Sequence, residues 1–134
     1  MLYWIHRAAH KIPLMNKYHS DHHAAINRMG TKSQWEWNNL VLFNDTWRSS
    51  IDLWITEVIP TLIFSFVINS YWPIIVYYFW AALLQEKLEH NKDLNLYPFT
   101  SGRWHLQHHA CADKNYGLFV PIWDIVFKTE YDRA

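Results

Sequence analysis

Nine histidines fall into four groups along this 134-residue chain, and their spacing constrains both local structure and topology. The groups are His6 with His10, His19 with His22 and His23, His90 alone, and His105 with His108 and His109. Offsets of three and four recur within them. On a helix, such offsets place side chains on one face, one turn apart. Two imidazoles at i and i+4 can grip one ion, while an H-x-x-H-H triplet can offer ligands to two neighbouring ions. The two triplets lie on opposite sides of the longest apolar stretch, so head and tail must meet for them to share a site.

That stretch, Ile51 to Leu84, carries only two charges, Asp52 and Glu57, both near its start. Asn69-Ser70-Tyr71-Trp72-Pro73 breaks it into two arms of about 18 residues, or roughly 27 Å of helix each. Ser49 or Ser50 is placed to cap the first arm, whose early carboxylates suit a helix N-terminus. Pro60 is placed to kink the first arm and Pro73 to open the second. A buried pair in a soluble bundle is the alternative to a membrane hairpin. Neither arm shows the polar face of a soluble surface helix, so a membrane hairpin over residues 51–90 is expected. A hairpin that enters and leaves by one face returns the chain to the side it left, where head and tail histidines can meet. His90 then sits on the polar, protruding end of the second arm, Gln85 to His90.

Elsewhere, Pro13 separates a helix ending near Lys11 from one running to about Arg28 and stopped at Gly30. Trp35 to Trp47 reads as irregular, being rich in Asn and Asp. After a loop through Pro98, Thr100 or Ser101 is placed to cap a helix bearing the second triplet. A turn at Gly117 leads to a short amphipathic helix, Pro121 to Phe127. The fold class is therefore all-α. Nine Trp and eight Tyr suit an interface between apolar and aqueous surroundings. A net charge of zero gives no argument for nucleic acid or for a polybasic tether. The single Cys111 excludes an internal disulfide.

Imidazole suits Zn, Cu, Fe and Ni. Nine are too many for one tetrahedral zinc, and Arg7 after His6 rules out the H-E-x-x-H of a zinc protease. Haem asks for two axial histidines, not adjacent pairs. Two irons with open positions for O₂ use the number best.

Together, Tyr3-Trp4-x-His6-Arg7-x-x-His10, His19-x-x-His22-His23, His105-x-x-His108-His109, Asn115-Tyr116-Gly117 and Trp123-Asp124 resemble the fatty acid hydroxylase / sterol desaturase superfamily. The resemblance covers nearly the whole chain, as a single domain over residues 1–134. It implies a membrane hairpin with a helical cap on the cytosolic face holding a di-iron site. It also implies O₂-dependent hydroxylation or desaturation of a lipid such as a fatty acyl chain or sterol. Electrons would come from a donor of cytochrome b5 or ferredoxin type. By the resemblance, His6, His10, His19, His22, His23, His90, His105, His108 and His109 are the metal ligands. A carotenoid-ring hydroxylase shares the boxes, and a membrane scaffold or metal-binding subunit without turnover is the reading from another class.

Two departures stand out. Fatty acid 2-hydroxylases carry a further histidine four residues before the one matched by His90. Here that position is Glu86, a carboxylate on the same helix face and a candidate iron ligand. Glu89 lies about 100° around the helix from His90 and is expected to tolerate replacement. Relatives also carry membrane helices before the first box, whereas only five residues precede His6 here.

Overall fold

The computed structural model describes residues 1–29, 35–44 and 46–131, and every regular element among them is helical. Helix α1 (Leu2–Ala9) stops short of Lys11, and α2 (Pro13–Met29) starts on its proline, where a missing N–H costs nothing. The stop expected at Gly30 lies outside the described residues. The stretch read as irregular contains one 3₁₀ turn, Trp37–Val41, anchored where the Glu36 amide donates to Asn39 Oδ1 at 2.7 Å.

Helix α3 (Trp47–Val67) carries the first apolar arm. Its cap is Thr46 rather than Ser49 or Ser50, because the Thr46 hydroxyl accepts the Ser49 amide at 3.1 Å. Ser49 and Ser50 thus fall inside the first turn. Proline 60 has no N–H to give the Thr56 carbonyl. The ladder widens just ahead of it into a π turn over Trp54–Val58, where the Ile59 amide reaches back to Trp54. The helix is therefore irregular one turn before the proline expected to kink it.

The chain reverses at Asn69, which takes a left-handed conformation with φ 52°. Helix α4 follows over residues 72–88, with Pro73 in its first turn and a second π stretch at Trp80–Gln85. The second arm runs back beside the first. Ser65 Oγ accepts the Ile74 amide at 3.1 Å, and Glu57 accepts from Tyr77 and then Gln85. Leu53, Val58, Tyr77, Ala81 and Ala82 pack between the arms with Leu42. The outer faces are apolar and exposed, including Ile59, Leu62, Ile63, Phe66, Ile75, Val76 and Phe79. Trp47–Val67 is the one helix, among the described residues, long and apolar enough to cross a membrane. Its 21 residues make roughly 32 Å at about 1.5 Å per residue, against a hydrocarbon core of about 30 Å.

Helix α5 (Arg103–Ala110) bears the second triplet. Neither Thr100 nor Ser101 caps it. The chain enters through Gly102 at φ 76°, whose amide donates to the Glu89 carbonyl at 3.1 Å, and both hydroxyl residues are buried beforehand. The last helix, α6 (Ile122–Phe127), is amphipathic in an inverted sense. Its one acid, Asp124, is fully buried, while Ile122, Trp123, Ile125, Val126 and Phe127 are exposed.

A nine-histidine candidate metal centre

All nine histidines converge from α1, α2, the end of α4, and α5, and they divide into two groups. His6, His10, His19, His23 and His108 form one, and His22, His90, His105 and His109 the other. Within each group the ligand nitrogens lie within 4.8 Å of one another. The division follows the spacing. Each H-x-x-H-H triplet sends its i and i+4 members to one group and its middle histidine to the other. The groups adjoin, with the His23 and His109 rings 4.3 Å apart between centroids.

Hydrogen bonds on the outer side of the rings fix what faces inward. His6 Nδ1 donates to the Tyr116 carbonyl at 2.8 Å and His108 Nδ1 to the Lys114 carbonyl at 2.6 Å. A carbonyl only accepts, so both rings carry their proton on Nδ1 and present a lone pair at Nε2. The Asp52 carboxylate, 2.8 Å from His19 Nδ1, accepts from that atom and turns Nε2 inward. His6 Nε2 and His19 Nε2 are only 3.2 Å apart. His10 Nε2 lies 2.9 Å from His19 and 3.0 Å from His108, and a single proton can serve only one of them.

Extra protons do not relieve this crowding. Burial, and then the neighbouring imidazoles, hold His6, His22, His23, His105 and His109 well below the ordinary histidine range. Burial also lowers His10 to about 3 and His108 to about 4. A cation at the centre of each group turns this crowding of ring nitrogens into ligation. Nitrogens bound at about 2.1 Å to one ion sit about 3.0 Å apart at a right angle and about 3.4 Å apart at the tetrahedral angle. The closest pairs, at 2.9 to 3.2 Å, match the right angle better than the tetrahedron. The residues present fit a metal in each group.

The family model described as Fatty acid hydroxylase matches residues 1–129. The chain belongs to the fatty acid hydroxylase family. No curated protein and no solved structure matches it.

In this member of the family the two motifs without histidines hold the site from behind. Asp124 accepts the amides of Tyr116 and Gly117 at 2.8 Å each and the Thr129 hydroxyl at 2.8 Å. A Cβ on Gly117 would stand 2.7 Å from both Asp124 Oδ2 and the Val120 carbonyl, so the residue has to be glycine. Asn115 ties the same loop to the Trp104 carbonyl and to the Tyr131 amide. The clamped loop then offers the Tyr116 carbonyl to His6, while the Tyr116 ring lies against His6, His10 and His108.

Glu86 belongs to neither group. Its Oε2 lies 3.8 Å from His90 Nδ1, whereas His90 Nε2 is the atom that meets His109. Glu89, expected to tolerate replacement, lies instead in a buried network. It is 3% exposed and accepts from Gln85 Nε2 at 3.0 Å, and Gln85 also donates to Glu57. Asp52 and Glu57 are placed by the sequence at a helix start, but their contacts with His19 and with Gln85 are not foreseen by it. The signal was there, because carboxylates inside an apolar run are costly unless they have a task.

One space abuts the histidines, and a second lies on its far side. A polar chamber of about 20 Å³ is lined by His6, His19, His22 and His105 together with Asp52, Glu57, Gln85, Glu86 and Glu89. That is room for about one water molecule. An apolar cleft of about 690 Å³ opens between the two arms, the start of α1 and residues 117–123, with Phe64, Val76, Trp80 and Phe119 in its walls. Leu118 lines both spaces. Tyr77 lines the cleft and points its hydroxyl at Glu57 of the chamber.

Proposed function

We propose that the chain is an integral-membrane, di-iron, O₂-dependent oxygenase that hydroxylates or desaturates a lipid. The observation that carries this reading is the division of nine imidazoles into two adjoining groups beside a chamber that shares a wall with an apolar cleft. The nine histidines would hold the two ions, with Glu86 behind His90. When bound, iron supplies the means to reduce O₂ and oxidise an unactivated C–H bond. Hydroxylation places one oxygen atom in the C–H bond and releases the other as water. Desaturation removes two hydrogens and releases both oxygens as water. Either route consumes two electrons and two protons, the electrons coming from a donor of cytochrome b5 or ferredoxin type.

The chain's own task is positioning and exclusion of water. The cleft, of a size typical for small-molecule sites, takes the apolar part of the lipid. The chamber admits a molecule no larger than O₂ or water. Arms α3 and α4 form the membrane hairpin, their exposed apolar faces turned to lipid. The exposed face of α6 lies at the interface, since a soluble helix would not bury its acid and expose its apolar residues. The histidine centre then stands on the cytosolic face.

Two measurements test the proposal. Anaerobically reconstituted protein should hold about two iron ions per chain, as two-metal sites require. Lipids of a heterologous host expressing the full chain should gain one oxygen or lose two hydrogens. Folded protein that binds one ion or none sinks the reading. For topology, Ser20→Cys and Lys92→Cys, in a chain with Cys111 replaced, should label from the same side of the membrane.

A further inference from the structure

The outer nitrogens of the two histidine groups are held very differently. In the five-histidine group, three of the rings are anchored: His6 by the Tyr116 carbonyl, His19 by the Asp52 carboxylate and His108 by the Lys114 carbonyl. In the four-histidine group, the Nδ1 atoms of His90, His105 and His109 are buried and have no hydrogen-bond partner among the described residues. The nearest carboxylate oxygen to His90, on Glu86, is 3.8 Å away, beyond hydrogen-bond reach.

An outer hydrogen bond fixes a ligand's tautomer, holds its ring in place and raises its basicity. Loss of such a partner costs about 10- to 100-fold in metal affinity. An anionic partner acts more strongly than a carbonyl, because its hydrogen bond is charge-assisted. Asp52 is the only anion in such contact with a ligand histidine among the described residues. It sits on α3 and is 6% exposed, so solvent screens it little.

We infer that the two metal sites are inequivalent. The five-histidine site binds its ion first and more tightly, and Asp52 is the positioning residue that sets this affinity through His19. The four-histidine site fills second and exchanges its ion more readily. This inference rests on the two-metal reading above. It extends that reading, since two sites could equally be matched.

The test is an anaerobic titration of metal-free, full-length protein in detergent with Co²⁺, followed by calorimetry and by the visible absorption of the bound ion. Two phases of one equivalent each are expected, separated by about 10- to 100-fold in Kd. Asp52→Asn should weaken the tight phase by a similar factor and leave the weak one in place. His109→Ala should abolish the weak phase and leave the tight one at its wild-type Kd. Two equivalents binding in a single phase would overturn the inference while leaving the two-metal reading intact. Equal weakening of both phases by Asp52→Asn would also overturn it. If Asp52→Asn fails to fold by circular dichroism, His109→Ala decides alone, and loss of the tight phase in that variant refutes the assignment. Binding of fewer than two equivalents by wild-type protein fails the two-metal reading itself.

Discussion

Removing the Asp124 carboxylate should damage the metal site without touching a ligand. Asp124 is fully buried and accepts three hydrogen bonds of 2.8 Å, from the Tyr116 and Gly117 amides and the Thr129 hydroxyl. Hydrogen bonds to a charged group contribute about 1.5–3 kcal/mol each, and a buried amide left without an acceptor costs about 1–3 kcal/mol. These terms overlap because the three donors share one carboxylate, so Asp124→Ala should lose about 3–5 kcal/mol rather than the sum. Asp124→Asn keeps the shape but turns an –NH₂ donor toward one of the donors, and should lose about 1–3 kcal/mol. Both variants loosen the loop that aims the Tyr116 carbonyl at His6. Metal affinity at the five-histidine group should therefore fall by about 10- to 100-fold. Thermal unfolding of metal-free protein, with metal retention by mass spectrometry, reads both effects. An Asp124→Ala protein within about 1 kcal/mol of wild type and retaining both metals would refute the reasoning.

Gly117→Ala should destabilise by about 1–3 kcal/mol in thermal unfolding, because one of the two atoms its Cβ would meet at 2.7 Å is the backbone carbonyl of Val120. The depressed pKa values of His10 and His108 mean that the unfolded chain binds more protons than the folded one between about pH 6.5 and 4. Stability of the metal-free protein should be full above pH 6.5 and fall as the pH drops through that window. Each such histidine contributes at most about 1.4 kcal/mol per pH unit, read by denaturation at stepped pH. Because burial holds seven of the nine imidazoles below the ordinary histidine range, metal binding at pH 7 should release few protons, which calorimetry in buffers of different ionisation enthalpy will show.

The histidine spacing carried the helices, their inward faces and the sharing of two groups, since each of those depends on residues within one or two turns. What lay beyond it depends on contacts far apart in sequence. His6 meets Tyr116 across 110 positions and His19 meets Asp52 across 33, and no periodicity encodes such a pair. Asp52 looked like a dipole-compensating acid at a helix start, and that role is also compatible with its place in the first turns of α3. The π turn before Pro60 moved Glu57 into contact with the second arm, a rephasing that a 3.6-residue count does not foresee. Caps at Thr46 and Gly102 replaced the expected serines and threonine because several capping residues stood within four positions of each cap.

If the apolar cleft holds the lipid, narrowing it should reduce turnover and leave the metal centre alone. Val76 suits the purpose, because it lines the cleft on α4, is 63% exposed, and touches neither the histidines nor the Glu57 network by hydrogen bond. Val76→Trp should fill part of the roughly 690 Å³ at little cost in stability, since the added ring projects from an exposed position. A lipid forced out of its best position loses near-attack geometry, and a misplacement on the order of 1 Å can cost about 100-fold in rate. The expected result is a fall of about 10-fold or more in kcat/KM, steeper for longer or bulkier lipids, with two metal equivalents retained. Val76→Ala widens the same wall and should relax that size preference. Leu118→Phe probes the partition itself, since Leu118 borders both spaces, and its overpacking should cost about 1–3 kcal/mol as well as turnover. Unchanged turnover in Val76→Trp, across lipids of different length, would remove the cleft from the reaction.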